Sequence, residues 1–168
     1  MMRFASAIIC ILFTISNSAF SAPSTVLNFH VRLITKPCVV DGETVMNVDL
    51  GKISKADLSS APWTDFSVLL KDCPTEATSV GLAFSGETDG TANEYIKNTS
   101  TTGRADNTAI EVKDSDDDTR ITSGSEITRT LDSNHATKFN MKARIVPLAG
   151  KTTGGTVTGR VEFTIVYP

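Results

Sequence analysis

Phe139, Met141, Ala143 and Ile145 alternate strictly with Lys138, Asn140, Lys142 and Arg144, and Val157, Gly159, Val161, Phe163, Ile165 and Tyr167 again take every second place. Successive side chains of a strand face opposite sides, so this period predicts strands with one buried face and excludes helix over both segments. The same period marks Val45 to Leu50, Phe66 to Cys73, Val80 to Phe84, and Ile110 with Val112. No long amphipathic helix competes with it; Ser54 to Ser60 suffices for a turn or two. Gly86 to Asn107, rich in Thr, Asn, Gly and Ser, reads as a loop with one short strand at most. The expected fold is therefore all-β, a single sandwich-like domain.

The first segment of the chain does not belong to that domain. Met1-Met2-Arg3 gives a positive start, Phe4 to Ile15 is almost wholly apolar, and Ser16 to Ser21 turns small and polar. This three-part pattern is that of a secretory signal. Its apolar run is about 12 residues, too short to span a bilayer. Ala19 and Ser21 place the cut before Ala22, so removal of 21 residues from 168 leaves 147, and loss of Arg3 takes the net charge from −3 to −4. A membrane-anchored form with the leader uncleaved is the alternative.

Cys10 leaves with the leader, and Cys38 and Cys73 remain as an even pair in an oxidising compartment, where a disulfide is the default reading. The loop it closes, about 35 residues, corresponds to roughly 3.8 kcal/mol in the chain-entropy model. A redox or metal role lacks both a C-x-x-C spacing and a neighbouring His.

Little in the chain points to catalysis. With 16 basic and 19 acidic residues interspersed and a pI near 5.3, bulk charge attracts neither nucleic acid nor an anionic membrane. Asp114, Asp116, Asp117 and Asp118 resemble a calcium loop only in charge, because the Gly and Glu that an EF-hand needs are missing; a solvated hairpin turn is expected. Trp63 reads as a packed edge rather than a sugar platform. His30 and His135 sit in no ligand motif. No nucleophile and base pair, paired carboxylates or metal cluster is recognisable, so a secreted hydrolase or redox enzyme, a catalytic site, a metal and a cofactor are all set aside.

The most informative segment is the mature N-terminus. Thr25, Leu27, Phe29, Val31 and Leu33 form one face and Val26, Asn28, His30 and Arg32 the other, a strand reaching roughly 40 Å ahead of the first cysteine if extended. By pattern alone it serves either its own sandwich or another molecule's sheet.

Thr35-Lys36-Pro37-Cys38-Val39-Val40, Val48-Asp49-Leu50-Gly51, Leu70-Lys71-Asp72-Cys73-Pro74 and the tail from Gly155 to Pro168 together resemble the subunits of chaperone–usher fimbriae. The likeness covers the whole mature chain. Lys36-Pro37-Cys38 and Asp72-Cys73-Pro74 make it most similar to the minor, adaptor-type subunits of type 1 fimbriae. Gly155, the fourteenth residue from the end, and the penultimate Tyr167 belong to the same pattern.

That resemblance implies an immunoglobulin-like sandwich lacking its last strand, with a groove that exposes core side chains. A periplasmic pilus chaperone lends a strand to the groove, and at the outer-membrane usher the N-terminal extension of a neighbouring fimbrial subunit replaces it, by strand addition. Carried to this chain, residues 1–21 are the signal, 22–34 the donor extension and 35–168 the pilin domain. Thr25, Leu27, Phe29, Val31 and Leu33 are the inserting face. The four large ones contribute roughly 6 to 12 kcal/mol before ordering costs, at about 1.5 to 3 kcal/mol each. The groove edge is Val157, Gly159, Val161, Phe163, Ile165 and Tyr167, and the carboxylate of Pro168 suits a basic anchor in the chaperone. Val31 stands where the family usually carries glycine, which demands a deeper acceptor pocket.

The implied function is a structural subunit of a cell-surface fimbrium, exported through the periplasm, serving cell adhesion. The alternative, a carbohydrate-binding adhesin, needs a further domain for which 147 residues leave no room. No nucleic acid and no direct membrane binding are implied.

Overall fold

A computed structural model describes residues 36–42, 45–89 and 93–168. Among the described residues nine strands form two antiparallel sheets: β1 Val39–Asp41, β2 Thr64–Lys71, β3 Ser79–Gly86, β4 Ile96–Lys97, β5 Thr108–Asp114, β6 Arg120–Ile121, β7 Glu126–Thr130, β8 Thr137–Pro147 and β9 Val161–Val166. The larger sheet runs β1-β2-β8-β5-β4, with β6 also paired to β5, and the smaller runs β7-β3-β9. One short 3-10 helix, Lys55–Ser60, is capped by the Ser54 side chain and buries Leu58.

Alternation becomes packing where two strands place their apolar faces in register. Phe66 and Val68 of β2 lie opposite Met141 and Phe139 of β8, and Val112 of β5 opposite Ala143. In the second sheet Leu82 of β3 faces Ile127 on one side and Ile165 on the other. Phe139, Leu70, Leu82, Ile121 and Val80 are fully buried between the sheets. Burying a large aliphatic or aromatic side chain contributes about 1.5 to 3 kcal/mol, so these layers supply most of the favourable term.

Two expectations are corrected. Val45 to Leu50 forms no strand despite its period: Leu50 packs on the core, while Val45 and Met46 are exposed. The short Val39–Asp41 takes the place beside β2 instead. The last strand begins at Val161 rather than Val157, because Thr156 and Thr158 make their backbone bonds with Gly103, Ala105 and Thr99. The acidic segment is a tight hairpin turn between β5 and β6, closed by the Asp114 N–H donating to the Thr119 carbonyl at 2.8 Å.

Charges on the outer face of the larger sheet are internally matched. Glu111 is clasped by Arg120 at 3.0 Å and Arg144 at 2.7 Å, and Asp118 by Lys113 at 2.7 Å and Lys142 at 2.5 Å. Trp63 packs beneath Arg144, Lys142 and Lys113, whose charged groups lie 4.4, 5.1 and 5.6 Å from its ring. Hydrogen bonds from Lys113 and Lys142 hold the Asp118 carboxyl down at about 2. Burial pushes Glu111 up, but hydrogen bonds from Arg144 and Arg120 outweigh it and leave the carboxyl below the ordinary glutamate range.

Both carboxylates are depressed in the folded state, so their stabilisation is present above the unfolded values and is lost as pH falls through the folded ones. Thermal midpoints are expected to hold from neutral pH down to the ordinary carboxylate range. They then drop, with the Asp118 share disappearing between 3.8 and about 2. Asp118→Asn should flatten that limb of a midpoint-against-pH curve; a superimposable curve would refute the assignment.

Candidate functional site

β9 decides what this sandwich can do. It pairs through its full length with β3, Phe84 opposite Phe163 and Gly86 opposite Val161, and its other edge pairs with no strand among the described residues. The Phe84 and Phe163 rings meet at 6.3 Å. Phe84 is buried, yet Val161, Phe163 and Ile165, which point to the same core, are only half-buried. On the other sheet Val40 of β1 and Phe66 of β2 are also half-buried while packed on that core. Among the described residues most of the half-buried apolar side chains packed on the core gather along this stripe, Leu50, Ile110 and Leu131 being the others. Backbone with no strand partner beside half-buried apolar side chains is a template for a further strand.

The elements that hold β9 in place are specific. At its start, a Cβ on Gly155 would lie 2.4 Å from the Gly103 carbonyl oxygen and 2.6 Å from the Ala105 nitrogen, so only glycine permits the close approach. Gly159 is similarly confined, its Cβ falling 2.8 Å from Ile110 Cδ1. Asn98, 5% exposed, holds this crossing from inside. Its Nδ2 donates to the carbonyls of Ala105 at 2.9 Å and Thr156 at 3.2 Å, and its Oδ1 accepts from the N–H groups of Thr158 and Ser100, both at 3.1 Å. At the far end the Tyr167 hydroxyl accepts a bond from the Cys38 N–H at 2.6 Å. Cys38 is disulfide-bonded to Cys73, whose N–H donates to the His135 carbonyl at 3.0 Å.

The predicted residues thus divide into three groups. Cys38 and Cys73 are joined as expected. Val161, Phe163 and Ile165 share the half-buried face of β9, with Tyr167 following it; Val157 and Gly159 precede the ladder, and Pro168 is exposed at the C-terminus. Thr25, Leu27, Phe29, Val31 and Leu33 lie outside the described residues. Asn98 was missed, since an Asn within a Thr- and Ser-rich stretch carries no local sign of burial; its partners at Thr156 and Thr158 are 58 and 60 positions away. Among the described residues no group of three or more His, Cys, Asp or Glu is placed to hold a metal.

An immunoglobulin-like sandwich whose C-terminal strand has one strand partner among the described residues has the architecture of a pilin-type body. The chain belongs to the fimbrial protein family: the model described as "Fimbrial protein" matches residues 27–168. It is 32% identical over 170 residues to the fimbrial-like protein YdeR of Escherichia coli (strain K12), covering 98% of this chain and 95% of that one. It is also 27% identical to protein FimG of the same organism, with 95% of each covered. The fold is shared with the P pilus rod subunit PapA, at a TM-score of 0.66, 20% identity, 79% of this chain and all of that one. It is therefore a subunit of a chaperone–usher fimbria, a cell-surface pilus in which it associates with other fimbrial subunits, and a structural protein rather than an enzyme.

Proposed function

We propose that this subunit polymerises by donor-strand exchange, receiving a neighbour's N-terminal strand along β9 and giving its own residues 22–34 to the next. In this reading residues 1–21 are the export signal and 35–168 the pilin body; a family match that starts at residue 27 is consistent with a leader ahead of it. The observation that carries the proposal is the half-burial of Val161, Phe163 and Ile165 beside an edge with one strand partner among the described residues. A periplasmic chaperone holds that edge before assembly at the usher, and the subunit serves adhesion as a minor or adaptor component. The Lys36-Pro37-Cys38 and Asp72-Cys73-Pro74 words favour the adaptor position, and copy number in purified appendages decides it, one per fibre against hundreds.

The direct test is to refold the mature chain with a synthetic peptide copying residues 22–34. Uptake of the peptide and a rise in thermal midpoint of about 10 °C or more are expected, on the order of 2 to 4 kcal/mol at the usual conversion for a body of this size. A monomer that is cooperative, long-lived and indifferent to the peptide would overturn the proposal. Carrying Val31→Gly in the peptide should change the exchange rate in a way that depends on the acceptor, since a branched side chain and a glycine need pockets of different depth.

A further inference from the structure

We infer that Tyr167 is a positioning residue for strand acceptance, closing one end of the β9 edge and thereby setting where an incoming strand must stop. The inference rests on the strand-acceptance reading above and adds its register device. β9 ends at Val166, and the next side chain leaves the smaller sheet to meet the backbone of Cys38, which directly precedes β1 of the larger sheet. The bond joins residues 129 positions apart at 2.6 Å, bridging the two sheets. Its donating end is held firmly: Cys38 is 6% exposed and disulfide-bonded to Cys73, which is 5% exposed and itself hydrogen-bonded to the turn ahead of β8.

A strand laid against β9 can pair along Val161–Val166, roughly 20 Å of ladder at about 3.3 Å per residue. In this inference the Tyr167 side chain, which runs from the end of β9 to the Cys38 backbone ahead of β1, lies across the path of a backbone added beyond Val166. The inward residues Val161, Phe163 and Ile165 offer successive places for alternate side chains, and a one-residue slip would turn the apolar face outward. A fixed stop at one end therefore selects the register without any contact to the donor's own side chains.

The test uses the full mature chain at sub-micromolar concentration and labelled peptides copying residues 24–34, unextended or lengthened by two alanines at either end. On the wild-type subunit, extension at the end that meets Tyr167 should shorten the dwell time about tenfold while the other extension changes little, the order expected for disturbing one buried hydrogen bond. Tyr167→Ala should abolish the difference. Tyr167→Phe, which keeps the ring, should reduce it and speed hydrogen exchange at the Cys38 amide; this variant decides the matter if Tyr167→Ala does not fold, with the intact disulfide checked by mass. Equal dwell times for both extensions on the wild type, or an unchanged difference in the variants, would overturn the role of Tyr167. Failure of the wild type to hold the unextended peptide, and equally peptides copied from the N-terminal extensions of the other subunits of the same fimbria, would instead overturn strand acceptance itself.

Discussion

Deletion of residues 22–33 is expected to leave a subunit that accepts a strand and donates none. The deleted segment carries Leu27, Phe29, Val31 and Leu33 on one face. If they enter a neighbour's groove as proposed above, their burial is worth roughly 6 to 12 kcal/mol before ordering costs, and 6 kcal/mol alone is more than about ten-thousandfold in affinity. No covalent link substitutes for it, so joining to the next subunit should fall below detection. The body is expected to keep its groove, because Val161–Val166 and the core residues they pack on among the described residues lie outside the deletion. Assembled together with the neighbouring fimbrial subunits, the truncated subunit should take up a strand and leave unjoined the subunit that depends on its own. Light scattering and electron microscopy of such mixtures make the check. A truncated chain that elongates fibres at the wild-type rate would show that the linking strand comes from elsewhere.

Replacing Arg129 with Met should cost about 3 to 5 kcal/mol, the penalty for removing one partner of a buried ion pair. Arg129 sits on β7 of the smaller sheet, and its guanidinium reaches across to Asp114 at the end of β5 in the larger one. It also pairs with Asp116 at 3.0 Å and lies 5.7 Å from the centre of the Phe139 ring. The Asp114 side chain is wholly buried, so it cannot turn to water when the guanidinium goes. A loss of that size corresponds to a fall in thermal midpoint of roughly 10 °C or more for a domain of this length.

The double change Arg129→Met with Asp114→Leu should recover most of the loss, because apolar groups of similar volume often replace a buried pair at little cost. Arg129→Lys should rescue poorly, since an ammonium cannot present a planar fork to two carboxylates. Measuring the peptide-complemented subunit separates this from groove effects. A single variant within about 0.5 kcal/mol of wild type, the range of ordinary surface changes, would mean that Asp114 is not desolvated as its burial implies.

How far the fold was legible follows from which residues carried a local signal. β8 was plain, because Lys138 to Ile145 alternates strictly and buries Phe139, Met141 and Ala143 as the period demands. Val45 to Leu50 alternates as regularly and is not a strand, which shows that a period permits pairing without supplying a partner. Glu126–Thr130 is the reverse case: with Ile127 as its single buried residue it has almost no pattern, yet it pairs with β3 through five positions. The acidic turn was legible from missing ligands, and its neutralisation by Lys113, Lys142 and Arg129 was not, because those cations arrive from three different strands.

By itself the sequence determined an all-β domain, a paired Cys38 and Cys73, and a last segment with one apolar face, since each is a property of spacing along one chain. The tertiary structure alone decided that Val161, Phe163 and Ile165 are only half-buried, and that Asn98 and Tyr167 hold the two ends of that segment. Whether a face is covered depends on which strands lie beside and opposite it, and those contacts join positions far apart in the chain, where no local period can record them.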